Sequence, residues 1–251
     1  MKDYTISESF ILPSKGLVYE NQVAPEITLR SMTTNDEMKR LSVSDYQYKP
    51  MSEVLDSCIV SGPNMSTYDM CIGDYQFLLY KLRIITYGAD FTIETKCPYC
   101  GFYNKDTISL DDFPINEFSE DIYKFMEVDL PVSKSHVKLK MQTPRSLDLI
   151  SIRAKEAKQR AKDKSLDFSM IYTLISMIDT VDGNKYDQLK LESWVRELPM
   201  MDTNMLFAFS TKLNDFIGVN VELEEGCALC GSSYKLPFRP GAAFFRPEIN
   251  I

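Results

Sequence analysis

Histidine is almost missing from this chain: His136 is the only one, and Trp194 is the only tryptophan. A Ser-His-Asp or Cys-His catalytic group would rest wholly on His136, which stands close to lysines in an alternating segment and reads as an exposed strand residue. No Gly-x-Ser-x-Gly or His-Glu-x-x-His pattern accompanies it. The segment Leu12-Pro13-Ser14-Lys15-Gly16 lacks the earlier glycine and the Gly-Lys-Ser/Thr order of a phosphate-binding loop, so it reads as a turn. Asp111-Asp112 and Glu224-Glu225 are not spaced as an acid/base pair and read as solvated surface. Nothing in these patterns points to an enzyme.

Long apolar runs are missing too. No stretch of about 18 apolar residues is present to span a bilayer, and Met1 to Thr5 lack the apolar centre of a signal peptide, so a soluble protein, cytosolic at synthesis, is expected. Positive charge is in deficit: 28 Lys and Arg stand against 36 Asp and Glu, for a net charge of −8. Gripping phosphate backbones needs a basic face, which this balance argues against. Six cysteines in 251 residues are too few for a disulfide scaffold. Cys58 and Cys71 fall within apolar helical stretches and read as core residues.

What is present suffices for a real core: 44% of the residues are apolar and 12% aromatic. The pattern predicts an α+β protein with helices predominant. Phe10-Ile11-Leu12, Leu17-Val18-Tyr19 and Ile27 to Arg30 read as a small N-terminal β element with a turn over Pro13 to Gly16. Thr33 or Thr34 can cap a short helix, and another is expected from Ser52 to Ile59, stopped by Gly62-Pro63. Cys71, Tyr75, Leu78, Leu82 and Ile85 form one stripe of a helix that Gly88 can end. Val137, Leu139 and Met141 alternate with polar residues as a half-exposed strand, paired to Val128 to Leu130. Helices follow from Ser146, through Phe168 to Ile178, around Trp194, and from Thr203 to Phe216, with Arg153 to Lys164 as a solvated face or arm. The expected organisation is an N-terminal β element (1–35), a helical segment (36–90), a first cysteine knuckle with a β segment (91–143), an inserted helical domain (144–218), and a second knuckle with a C-terminal tail (219–251).

The strongest motif is a pair of Cys-x-x-Cys-Gly knuckles, Cys97-Pro98-Tyr99-Cys100-Gly101 and Cys227-Ala228-Leu229-Cys230-Gly231, each between strand-like segments. Two thiolates so spaced can face one metal across a tight turn, and the glycine lets backbone amides turn toward sulfur without a Cβ clash. Together Cys97, Cys100, Cys227 and Cys230 supply the tetrahedral sulfur set that zinc prefers, in a discontinuous zinc-ribbon-like module. Residues 101 to 226 separate the pairs, but loop closure costs entropy only logarithmically, so the separation does not forbid one site. A redox dithiol fits less well, since that chemistry wants one pair at a helix N-terminus. Iron uses the same ligands, and the spacing does not distinguish it from zinc.

The run Phe10-Ile-Leu-Pro-Ser-Lys-Gly-Leu-Val-Tyr19, with Ile27-Thr-Leu-Arg-Ser-Met-Thr-Thr34, Asp36-Glu37, Asp182-Gly183, Trp194 and Leu198-Pro199, resembles the baseplate hub proteins of phages with T4-type contractile tails. The resemblance implies a non-enzymatic hub component or hub assembly protein, made in the host cytoplasm and working in the virion tail baseplate with other hub or tail proteins as partners. The aromatic, proline-punctuated C-terminal tail from Phe238 has two arrangements open to it, lying on its own domain or docking on a neighbouring subunit through Phe244 and Phe245. The rival class is a zinc-ribbon adaptor binding nucleic acid through Lys96, Lys105 and the Arg153 to Lys164 helix.

Overall fold

The computed structural model describes residues 4–238 and 242–245. Strand β1 (Ser7–Ile11) pairs antiparallel with β2 (Glu26–Arg30), placing Ser9 beside Thr28. Two helices follow, α1 (Thr34–Arg40) and α2 (Lys49–Cys58), before β3 (Ile59–Ser61) joins the far side of β2. Helix α3 (Ile72–Tyr87) leads into a hairpin of β4 (Asp90–Lys96) and β5 (Tyr103–Ser109). After β6 (Ile115–Asn116) come β7 (Glu127–Asp129) and β8 (His136–Leu139), then α4 (Pro144–Arg160) and α5 (Ser169–Met177). Strand β9 (Ile178–Val181) completes a sheet ordered β7-β8-β9. Helices α6 (Gln188–Arg196) and α7 (Met200–Asp215) precede β10 (Gly218–Val219), which pairs with β6. A last hairpin joins β11 (Glu222–Gly226) to β12 (Ser233–Pro237). The architecture is α+β, with helices outweighing several small antiparallel sheets.

Two apolar clusters hold this together. One gathers Leu12, just after β1, with Ile27, Leu29, Val54, Leu55, Leu78 and Leu82 from β2, α2 and α3. The other joins Val128, Val137, Leu139 and Ile178 to Leu174, Leu206 and Leu213, so β7, β8 and β9 cover the faces of α5 and α7. The α3 stripe is buried from Cys71 to Leu82 and half-buried at Ile85, as its three-and-four spacing predicts, and Gly88 ends the helix at φ +88. Thr33 starts α1, and Cys58 and Cys71 are core residues.

Several boundaries differ from expectation, each for a visible reason. Leu17 to Tyr19 are not a strand, because the preceding turn is pulled onto α3. Asp74 in the first turn of α3 accepts bonds from the Ser14 amide (2.9 Å), the Ser14 hydroxyl (2.5 Å) and the Tyr19 hydroxyl (2.6 Å). Helix α2 begins earlier than Ser52, since Asp148 of α4 accepts from the amides of Gln47, Tyr48 and Lys49 and supplies the missing cap. Helix α4 ends at Arg160, so the basic arm stops short of Lys164. Gly218 does more than follow a helix end. A Cβ at Gly73 would lie 2.1 Å from the Ile217 carbonyl oxygen, and one at Gly218 would lie 2.8 Å from the Gly73 Cα. These two glycines let β10 cross the start of α3 backbone to backbone.

Of the two arrangements open to the tail, docking through Phe244 and Phe245 is corrected in favour of packing on the chain's own domain. Phe244 is 2% and Phe245 8% exposed, and both belong to the first core cluster, with Phe244 5.2 Å from the Tyr80 ring and 5.7 Å from Phe91. Burial within the chain's own core leaves neither ring free to dock on a neighbour. The rest of the expected tail, residues 239–241 and 246–251, lies outside the described residues.

Candidate metal centre

Each knuckle is built from the same local bonds. In the first, the Cys97 amide donates to the Phe102 carbonyl (2.9 Å) and the Gly101 amide to the Cys97 carbonyl (3.0 Å). In the second, Cys227 donates to Ser232 (3.0 Å) and Gly231 to Cys227 (2.8 Å). Gly101 at φ +76 and Gly231 at φ +71 supply the left-handed residue both turns require. Tyr99 and Leu229 occupy matching places and are exposed at the two tips.

The hairpins β4-β5 and β11-β12 bring the four sulfurs together. Cys97 Sγ lies 3.8 Å from Cys230 Sγ and Cys100 Sγ lies 3.5 Å from Cys227 Sγ, and all four fall within 4.8 Å of one another. Four sulfurs at about 2.3 Å from a tetrahedral zinc stand about 3.8 Å apart, so the spacing fits such an ion. All four are free thiols; Cys97 and Cys227 are buried, while Cys100 and Cys230 face solvent.

The Ser232 hydroxyl and amide lower the Cys230 thiol to about 6, and the Cys230 amide lowers Cys227. The Phe102 amide acts the same way on Cys100, but desolvation and the facing sulfurs of Cys227, Cys230 and Cys97 outweigh it and push this thiol to about 12. The knuckle amides thus favour thiolates while the crowding of the sulfurs resists full ionisation, a conflict that a divalent ion would relieve.

Sequence reasoning missed the residues that join the hairpins. The Tyr234 hydroxyl accepts from Asn104 Nδ2 (2.9 Å) and lies 2.9 Å from Thr95 Oγ1, while Asn104 Oδ1 accepts from the Ala228 amide (3.0 Å). Asn104 and Tyr234 stand four places after the second cysteine of their own knuckles, so aligning the two motifs would have singled them out. Glu225, expected on the surface, is 9% exposed, and burial together with hydrogen-bonded Asp106 raises its carboxyl. His136 is not near the cluster's hairpins in the sheet order; it pairs across β7-β8 with Asp129, Nδ1 to Oδ1 at 2.8 Å. The turn at Ser14 carries no open phosphate cradle, since Ser14 is buried against Asp74.

Comparison with known proteins adds the family. Neither the curated proteins nor the solved structures include a match to this chain. Residues 4–246 match the family described as T4 bacteriophage base plate protein. Because that match runs over both core clusters and both knuckles, the chain belongs to the T4 bacteriophage base plate protein family.

Proposed function

We propose that this protein is a non-enzymatic structural or assembly component of the baseplate hub in a contractile phage tail, clamped by one zinc ion on Cys97, Cys100, Cys227 and Cys230. The family match over residues 4–246 carries the baseplate reading, and it implies action in the virion tail with other baseplate proteins. The four clustered sulfurs support the clamp.

Zinc would supply a divalent charge that neutralises thiolates and ties the two knuckles. The chain does the rest. Amides of Phe102, Leu229, Cys230 and Ser232 face the sulfurs, and Asn104 and Tyr234 hold the hairpins in register. A set of four cysteines leaves no ligand position for a reactive water, so the arrangement suits stability rather than hydrolysis. With residues 97 and 230 tied together, the clamp fixes where Phe238, just after β12, enters the first core.

Metal analysis of protein purified without chelator tests the clamp: one zinc per chain is expected, and protein that holds no zinc and no iron would overturn it. Quantitative mass spectrometry of purified particles tests the hub reading. The chain present at a fixed copy number supports a hub subunit, and its absence from particles that need it to form supports an assembly protein. Normal particles formed without the gene product would overturn both.

A further inference from the structure

The sheet β1-β2-β3 ends in an open edge. Antiparallel strands turn alternate residues toward their neighbour, and the bonds flanking the ladder run from the Ser31 amide to the Ile6 carbonyl (2.7 Å) and from the Leu12 amide to the Pro25 carbonyl (2.9 Å). Ile6, Glu8, Phe10 and Leu12 therefore face β2, while the amides and carbonyls of Ser7, Ser9 and Ile11 face outward. Among the described residues no strand pairs with that side.

Natural sheets guard such edges with proline, charged side chains (lysine above all) or a bulge, and the one charge on β1 is Glu8. Strand β1 has no proline, lysine or bulge: its sequence is Ser-Glu-Ser-Phe-Ile, and its pairing with β2 runs without a register shift. The exposed apolar side chains Ile6 (65%) and Ile11 (57%) flank the edge.

We propose that β1 is a self-pairing edge, through which two copies of this chain join antiparallel about a two-fold axis at Ser9, fusing their three-stranded sheets into one. The outward groups fix which registers are open, because only Ser7, Ser9 and Ile11 can exchange bonds across the axis. Centring on Ser9 pairs Ser7 with Ile11 of the second copy, overlaps the whole strand and sets Glu8 opposite Phe10. Shifting the axis one residue toward the N-terminus sets Glu8 opposite Glu8, a like-charge pair that destabilises a ladder, and a shift to Ser7 leaves Phe10 and Ile11 outside the overlap with the partner's strand. Shifting it the other way brings Pro13, which has no amide to donate, into the ladder.

The outer face of the sheet adds a second, independent match. Ser9 Oγ lies 2.8 Å from Thr28 Oγ1, and Ser61 Oγ donates to Thr28 Oγ1 at 2.9 Å, giving a row of hydroxyls that ends at the open edge. With Ser9 on the axis, the rows of the two copies meet and run on without a break. Cross-strand hydroxyl pairs of this kind stabilise sheets.

The test is sedimentation of the full chain over about 10 to 500 micromolar in about 0.15 M salt, where repulsion between the two acidic copies is screened beyond roughly 8 Å. A reversible monomer–dimer equilibrium is expected. Hydrogen exchange at the Ser9 and Ile11 amides should slow about tenfold or more as concentration rises. Ser9→Pro removes one outward amide and should abolish the dimer, and S7K/I11K, which keeps every amide but sets like charges opposite each other, should do the same. Near-ultraviolet circular dichroism of both variants should match the parent chain. A chain that stays monomeric, with these two amides exchanging freely or protected at every concentration, overturns the proposal. So does a dimer that survives both substitutions.

Discussion

Asn104 and Tyr234 occupy equivalent places in the two cysteine hairpins and hydrogen-bond to each other, Nδ2 to hydroxyl, at 2.9 Å. Both are buried, and the same hydroxyl meets Thr95. Tyr234→Phe keeps the ring but leaves the Asn104 amide and the Thr95 hydroxyl without that partner. A cost of about 1–3 kcal/mol is expected, seen as a lower melting temperature. Because the sulfurs are untouched, zinc stoichiometry should hold while affinity in a chelator competition weakens by roughly tenfold or more. An unchanged melt would show that the hairpins are joined by the sulfurs alone.

The crossing of β10 over α3 depends on two glycines in contact. Gly73→Ala sets a methyl group 2.1 Å from the Ile217 oxygen and must displace backbone, so a loss above about 3 kcal/mol or failure to fold is expected. Gly88→Ala is the control, since open space surrounds that position and only its φ of +88 opposes a side chain. Its cost should be about 1–2 kcal/mol in urea unfolding. Equal losses would mean that the close approach is relieved elsewhere.

Phe244 and Phe245 are core residues in this fold. Phe244→Ala removes a ring packed on Tyr80, Phe91 and Phe238, and a loss of about 3–5 kcal/mol is expected for such a buried aromatic. The measurement is chemical unfolding of the isolated chain. A variant that melts like the parent but fails to enter baseplates would restore the docking role that the burial of these rings argues against.

His136 gives the pH dependence a sign. The hydrogen bond to Asp129, with attraction from Asp129 and Glu127, raises its imidazole above the ordinary value of 6.5. Its stabilisation is complete below that value and is lost as pH rises through the raised folded pKa. Nuclear magnetic resonance titration should place His136 above 6.5, and Asp129→Asn should lower it. A midpoint at or below 6.5 would contradict the pairing across β7-β8.

The parts legible in the sequence were local. The apolar stripe of α3, the Thr33 cap, the alternation of β8 and the two Cys-x-x-Cys-Gly knuckles can be read directly because each depends on spacings of four residues or fewer, set by helix, strand and turn geometry. The matched glycines even marked both knuckles as the same turn. The sequence also bore a family resemblance that the match over residues 4–246 shares at the level of the baseplate family.

What the tertiary structure decided lies where one residue answers another far along the chain. Asp74 captures Ser14 and turns a predicted extended run into a tethered loop, and Asp148 caps a helix nearly a hundred residues before it. In a proline-broken tail Phe244 and Phe245 suit a docked segment as well as one folded back on its own domain, and the contacts of Phe244 with Tyr80 and Phe91 decide between them. Burying an aspartate or a phenylalanine is decided by the partner present, and periodicity does not carry that partner's identity. Hydrogen-bond and apolar satisfaction are properties of the assembled core, so only the fold could choose among these contacts.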